Sequence, residues 1–189
     1  MKKLLLSVLL LSIVFISCDG RDRRYKSNAE VLQESNLLKS FSNQTKFFPN
    51  ESVEIITDTI FNNGFQVKLK YNALENDFIS KTTKSDNDAL VHKNYKNFEA
   101  NILVLKDEKV ISNGIINKTL FQNYETPSFW KNAIMQYVWI NYETSTDTYI
   151  NLNTSFHIPE TDIFKDFAIS IDTFGGIKIM EINLTESTI

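Results

Sequence analysis

Cysteine is all but missing from this chain: one stands at position 18, and no other occurs among the 189 residues. That excludes a disulfide framework, a zinc or iron–sulfur centre built on cysteine, and a relay between two thiols of one chain. Stability has to come from packing. Glycine is scarce as well, at five residues, which excludes collagen-like and low-complexity chains. The phosphate-binding loops of the Walker and Rossmann kinds are absent, and so is the Gly-x-Ser-x-Gly nucleophile elbow. Only two histidines occur, His92 and His157, and neither sits in an HExxH spacing. A basic excess is also lacking. The net charge is −3, and it becomes −5 once Lys2 and Lys3 are taken away with the targeting segment described next. Phosphate binding needs a basic footprint, so nucleic acid is excluded as a partner.

What the chain does have is apolar mass. Hydrophobic residues make up 42% of it, with fourteen Phe and seven Tyr, enough to fill the core of one domain. The first seventeen residues read as a targeting segment. Lys2 and Lys3 form a positive start, LLLSVLLLSIVFIS an apolar run, and Ser17 a small residue just before Cys18. The run is shorter than the roughly 20 residues of a membrane span. The polar stretch CDGRDRRYKSN follows at once.

Phe15-Ile16-Ser17-Cys18 resembles the lipobox of bacterial lipoproteins: an apolar pair, a small residue and a cysteine, with Phe15 where that family usually has Leu. The resemblance implies a diacylglyceryl group on the Cys18 thiol, cleavage before Cys18 and acylation of the new amine. Several acyl chains hold a protein stably at a bilayer, at about 0.8 kcal/mol per buried CH₂, where one chain does not. The expected organisation is a signal peptide over 1–17, a tether over 18–26 and one α+β domain over 27–189. Arg21, Arg23, Arg24 and Lys26 suit the tether to solvent or to anionic headgroups. The whole resembles the small envelope lipoproteins of Gram-negative bacteria, especially Bacteroidota. That resemblance implies a lipid-anchored protein of the outer membrane facing the periplasm.

The rest reads mainly as strands. Ser27-Asn28-Ala29-Glu30 is a capping box opening a helix over about 28–42, with Val31, Leu32, Leu37, Leu38 and Phe41 as its packing stripe. Val53–Phe61 and Phe65–Tyr71 form a hairpin around Asn62-Asn63-Gly64. Leu74–Asp88 reads as a polar loop, with a short strand over Asp77–Lys81 as the alternative. Strands around 98–104 and 110–116 form a second hairpin. Thr126 caps a short helix over 127–133, with Pro127 at its first position. Tyr137–Tyr142 pairs with Tyr149–Ile158, whose Ile150, Leu152, Thr154, Phe156 and Ile158 share one face. A last hairpin joins Phe167–Ile171 to Ile177–Ile182 through Gly175-Gly176. Repeated hairpins without a βαβ rhythm predict an α+β fold: a curved antiparallel meander of about eight strands, a partly open barrel in the limit, with an N-terminal and a short central helix.

Chemistry is sparse. Glu75 and Asp77, Asp86 and Asp88, and Glu160 and Asp162 are loop carboxylate pairs. None shows an EF-hand pattern or a distinctive catalytic spacing. No catalytic residue, metal or cofactor is implied. The densest aromatic group is Phe129, Trp130, Tyr137, Trp139 and Tyr142. From it Trp130, Tyr137 and Trp139 are the candidate binding aromatics, with core packing as the competing role. Two functional readings follow: a non-enzymatic envelope module that binds a protein or a small apolar ligand or serves assembly, and an envelope hydrolase using loop carboxylates or a histidine.

Overall fold

A computed structural model of the chain describes residues 26–34, 44–84 and 89–183. The targeting segment, Cys18, the tether up to Tyr25 and positions 35–42 of the predicted first helix lie outside the described residues. The described chain is mostly strand, with short helices and two antiparallel sheets that do not close into a barrel. It forms two compact units. The described parts of Met1–Gln44 and Thr83–Val91 make one, and those of Thr45–Thr82 and His92–Ile189 make the other.

In the first unit, α1 (Asn28–Glu34) begins with the predicted capping box. Ser27 Oγ accepts the Glu30 amide at 3.3 Å, and Glu30 Oε2 accepts the Ser27 amide at 2.6 Å. That backbone hydrogen bond holds the Glu30 carboxyl below its ordinary range. Val31 and Leu32 are half-buried, and no residue of α1 is buried.

The strands are β1 (Gln44–Phe48), β2 (Glu54–Ile60), β3 (Phe65–Lys84), β4 (Leu90–Lys106), β5 (Lys109–Ile116), β6 (Ile134–Asn141), β7 (Tyr149–His157), β8 (Phe164–Asp172) and β9 (Ile177–Ile182). One sheet has the order β1-β4-β3-β2, with β5 also on β4 along Ala100–Lys106; the other has the order β6-β7-β8-β9. Nine strands in two sheets thus replace the expected single sheet of about eight. The turns follow local chemistry. Gly64 takes φ +86°, and the β4–β5 turn places both Asp107 and Glu108 at positive φ, the backbone that a two-residue hairpin loop requires.

The predicted loop over 74–88 is largely strand, because β3 runs on to Lys84. Its distal half lacks apolar alternation, so nothing in the local pattern marks it as a strand. Cross-strand polar pairs with β4 hold it instead. Lys96 Nζ donates to Glu75 at 2.7 Å, Asn97 Nδ2 to Asp77 at 2.7 Å and Ser80 Oγ to Asn94 at 2.7 Å.

Inward residues of both sheets form a single apolar cluster, running from Phe65, Val67, Leu69 and Tyr71 on β3 to Ile150, Leu152 and Phe156 on β7. Its aromatic centre is Phe121, Trp130, Phe156 and Phe167. Phe121 lies 5.0 Å from Phe156 and 4.9 Å from Phe167, and Trp130 lies 5.0 Å from Phe156. Phe121 comes from a 3-10 turn (Lys118–Phe121) and Trp130 from α2 (Pro127–Asn132). Thr126 Oγ1 caps α2 by accepting the Phe129 amide, with Pro127 at its first turn as predicted. At the other end Lys118 Nζ donates to the carbonyls of Trp130 and Ala133. Burial pushes that ammonium's pKa down.

One contact sets the geometry of the second sheet. The β6–β7 register shifts between Met135 and Tyr137. In a regular strand, residues two apart share a face. Here Met135 enters the core while Tyr137 faces outward beside Trp139, because Gln136 is the extra residue of a β-bulge. Tyr71 Oη, reaching over from β3, donates to the carbonyls of Gln136 at 2.8 Å and Met135 at 3.2 Å. Burial raises the Tyr71 phenol pKa, so the hydroxyl stays a donor. Replacing Tyr71→Phe is expected to cost about 1–2 kcal/mol in denaturant unfolding, since two carbonyls at the bulge lose their donor. Tyr137→Phe, whose hydroxyl bonds no other described residue, is expected to change stability by less than about 0.5 kcal/mol.

Candidate functional site: a trough on the outer face of the second sheet

The outward residues of β6 to β9 follow from the register. One row runs Trp139, Asn153, Ala168, Met180. The next on one side runs Tyr137, Ser155, Asp166, Ile182, and the next on the other side Asn141, Asn151, Ser170, Lys178. The middle strands β7 and β8 carry amide, hydroxyl, methyl and carboxylate side chains. The edge strands carry Tyr137 and Trp139 on one side and Met180 and Lys178 on the other. A sheet face with small residues at its centre and long ones at its edges is a trough. Three interstrand spacings of about 4.8 Å put its walls roughly 14 Å apart at the backbone.

The chain's own side chains cover part of this floor. Asn153 and Ser155 are only 4% and 0% exposed although they point away from the core. Tyr137 and Trp139 stand 37% and 36% exposed, with ring centroids 4.7 Å apart. At one end the trough opens into a recess of about 530 Å³ lined by Tyr149, Asn151, Ser170, Asp172, Lys178 and Met180. That volume lies within the range of ordinary ligand pockets, roughly 300–1,000 Å³.

Part of the floor is fixed by internal bonds. Ser170 Oγ donates to Asn151 Oδ1 at 2.6 Å, and Asn151 Nδ2 donates to the Thr144 carbonyl at 2.9 Å. Asp172 Oδ1 accepts the amides of Phe174 and Gly176, which leaves its second oxygen free of these bonds. Ser155 Oγ is buried with no partner among the described residues. Native folds seldom leave a buried polar atom unpaired, and each one costs roughly 1–3 kcal/mol.

The structure sorts the aromatics singled out from the sequence. Tyr137 and Trp139 come together on the trough wall. Trp130 is only 7% exposed and belongs to the core with Phe121, Phe156 and Phe167. Its helical turn lays it under the sheet, and it leaves the list of candidate binding residues. The sequence reading missed Tyr149, Asn153, Asp172, Lys178 and Met180. Their signal was the parity shared with Tyr137 and Trp139, legible only once strand register is known.

A second polar cluster lies at the far end of β7. Glu160, at φ +61°, accepts from Lys93 Nζ, and Lys81 Nζ donates to the Pro159 carbonyl. Lys93 first, and then Tyr95, hold the Glu160 carboxyl below its usual range. The Tyr95 phenol is pushed up to about 12 by burial and by Glu160. A carboxylate held low does not deliver a proton at neutral pH, and a phenol held high does not remove one. His92 pairs with Thr82 Oγ1 through Nδ1 at 3.0 Å. His157 stacks on Phe164 at 5.3 Å, and its Nδ1 is buried with no partner among the described residues. Glu75 and Asp77 bond Lys96 and Asn97, whereas Asp86 and Asp88 lie outside the described residues. Among the described residues no group of three His, Cys, Asp or Glu side chains is placed to hold a metal ion, and no helix is long and apolar enough to cross a membrane.

No protein-family model matches the chain, and no curated protein is significantly similar to it.

Burial first, and then the Lys81 charge, lower the His157 pKa from 6.5. The unfolded chain therefore binds this proton at a pH where the folded one still resists it. The His157 contribution to stability is present above the unfolded value and is lost as pH falls through the folded one. The unfolding midpoint is expected to drop as pH falls below about 6.5, and His157→Phe, which keeps the stacking ring, to flatten that drop. Denaturant titrations at several pH values check this.

Proposed function

We propose that the chain is a lipid-anchored cell-envelope module that binds a small ligand in the trough of its second sheet. The observation that carries the reading is the recess of about 530 Å³ on the outer face, lined by Tyr149, Asn151, Ser170, Asp172, Lys178 and Met180, with the half-exposed Tyr137–Trp139 pair on the same face. On the same face Tyr137 and Trp139 stay about a third exposed, where an unpartnered outer sheet face is normally polar. The anchor rests on the lipobox-like Phe15-Ile16-Ser17-Cys18 and the single cysteine. The outer membrane, facing the periplasm, is the location that resemblance favours. The partners on this reading are the membrane, through acyl chains on Cys18, and a soluble ligand held close to it. A hydrolase reading has less support, because Glu160 is already committed to Lys93 and Tyr95.

The anchor and the trough separate in one experiment. Intact mass and membrane fractionation of the native protein are expected to show acyl mass and outer-membrane partition, both lost in Cys18→Ser. Native mass spectrometry follows, after exposure to the small-molecule fraction of the envelope. It is expected to show a retained compound on the wild type and none on Ala168→Trp, whose indole fills the trough floor. Near-UV circular dichroism verifies that this variant is folded. An unacylated, soluble wild type overturns the anchor. Equal retention by both proteins, or none by the wild type, overturns the trough.

A further inference from the structure

Independently of the trough, the two sheets leave a pair of strand edges open. β2 is bonded to β3 alone and β6 to β7 alone, so among the described residues each strand has one free edge. These edges face each other. Thr59 Oγ1 and Tyr142 Oη are 3.1 Å apart, and Asn63 Nδ2 donates to the Thr146 carbonyl at 2.8 Å. Both pairs are 83 positions apart in sequence. A constant difference means that β2 and β6 run in the same direction, since antiparallel segments keep a constant sum instead. The same offset sets Ile55 level with Val138 and Thr57 level with Ile140. These four line a cleft of about 640 Å³ that ends at Tyr142 and Glu143.

Ile55 and Thr57 share a face with Tyr71 and Leu69, their register partners on β3. That face is the inner one. Tyr71 and Leu69 are buried in the core, whereas Ile55 is 56% exposed. The apolar interior therefore opens to water along the cleft. Ile56, on the other face of β2, is 67% exposed. Edge strands are commonly guarded by charge, proline or a covering element. Here Glu54 and Asp58 are paired with Lys70 and Lys68 of the neighbouring strand, and bare isoleucine stands between them on both faces.

We propose that the cleft receives an extended peptide segment of a partner protein, inserted as a strand between β2 and β6. Both strands pair antiparallel with their own neighbours. Between two strands that run the same way there is a place for one strand antiparallel to both. The guest backbone bonds the two free edges, and its alternate side chains give selectivity. One set of them faces Ile55, Thr57, Val138 and Ile140, so it is apolar. The antiparallel direction puts the N-terminal end of the guest beside Glu143. That carboxylate has no partner among the described residues, and a basic residue on the guest complements it. A small apolar ligand fits less well, because it leaves both rows of edge amides and carbonyls unpaired. A second copy of the chain also fits less well. Its free edges belong to folded sheets, and the cleft admits a single strand.

The test uses the full chain in dodecyl maltoside and a library of labelled nine-residue peptides. Each begins with Arg or Ser and continues with apolar residues (Val, Ile, Leu or Phe) alternating with Thr, Ser or Asn. Fluorescence anisotropy reads binding, and hydrogen exchange by mass spectrometry reads its place. Members of the library are expected to bind and to slow amide exchange in both β2 and β6. Those with Arg are expected to bind about two- to fivefold more tightly than those with Ser, a difference that Glu143→Gln removes. Methylating alternate backbone nitrogens of the peptide is expected to weaken binding about tenfold or more, and so is Thr57→Arg, verified as folded by near-UV circular dichroism. Val110→Lys, on β5, is expected to leave binding unchanged. A library without a binder overturns the inference, and so does protection confined to one of the two strands. A methylated peptide that binds as well as its parent overturns it too, because an apolar slot rather than paired backbone then holds the guest. A dimer seen by analytical ultracentrifugation and dissociated by Thr57→Arg puts a second copy on the edge and likewise overturns it.

Discussion

The hydroxyl of Tyr71 and the two carbonyls it bonds are the contact on which the outer face depends. A strand has two faces and a strict alternation, so a residue's face is fixed by counting from its neighbours. β6 must place Met135 in the core and, two residues on, Tyr137 outside. Only an inserted residue does that, and an inserted residue leaves backbone groups without ladder partners. Tyr71 answers both carbonyls from the opposite sheet. The outward turn of the Tyr137–Trp139 pair is thus braced by one side chain of the other sheet.

The second sheet works on two sides. β7 sends Ile150, Leu152 and Phe156 into the aromatic core and turns Asn151, Asn153 and Ser155 to the trough. Phe121, Trp130, Phe156 and Phe167 make the inner side rigid, as close aromatic contacts do. The outer side carries polar groups that are buried yet incompletely bonded, which opposes stability. A fold under no demand but stability would place a larger, apolar or fully solvated residue there. Departure from the local optimum on one face of an otherwise consistent sheet is the mark expected of a functional surface.

Much of the scaffold was legible in the residues. The alternation in 65–71 and 150–156 gave two strands, Ser27-Glu30 and Thr126-Pro127 two helix starts, and Asn62-Asn63-Gly64 a turn. The shared parity of Tyr137 and Trp139 pointed to one face of one strand, where both now stand. Other features had no local signal. The second half of β3 is held by pairs such as Lys96 with Glu75, partners 21 positions apart that no window of alternation contains. β1 is a short, exposed strand whose Phe47 and Phe48 meet Phe78 and Tyr95. Trp130 has the composition of a binding residue and the position of a core residue. Its helical turn set the face, but the sheet beneath it decided the burial. The rest of the trough became visible only with register, since Asn153, Ala168 and Met180 are adjacent in space and scattered in sequence.

The central claim is that the outer face of the second sheet is an open, aromatic-walled trough and that Trp139, not Trp130, is its tryptophan. Acrylamide quenching of two single-tryptophan variants tests this most directly. Trp130→Phe leaves Trp139 alone, and the account predicts red-shifted emission with efficient quenching. Trp139→Phe leaves Trp130 alone, and the account predicts blue-shifted emission with little quenching. A shielded Trp139 that emits and quenches like Trp130 would mean that this face is packed shut, and the account of the trough would be contradicted.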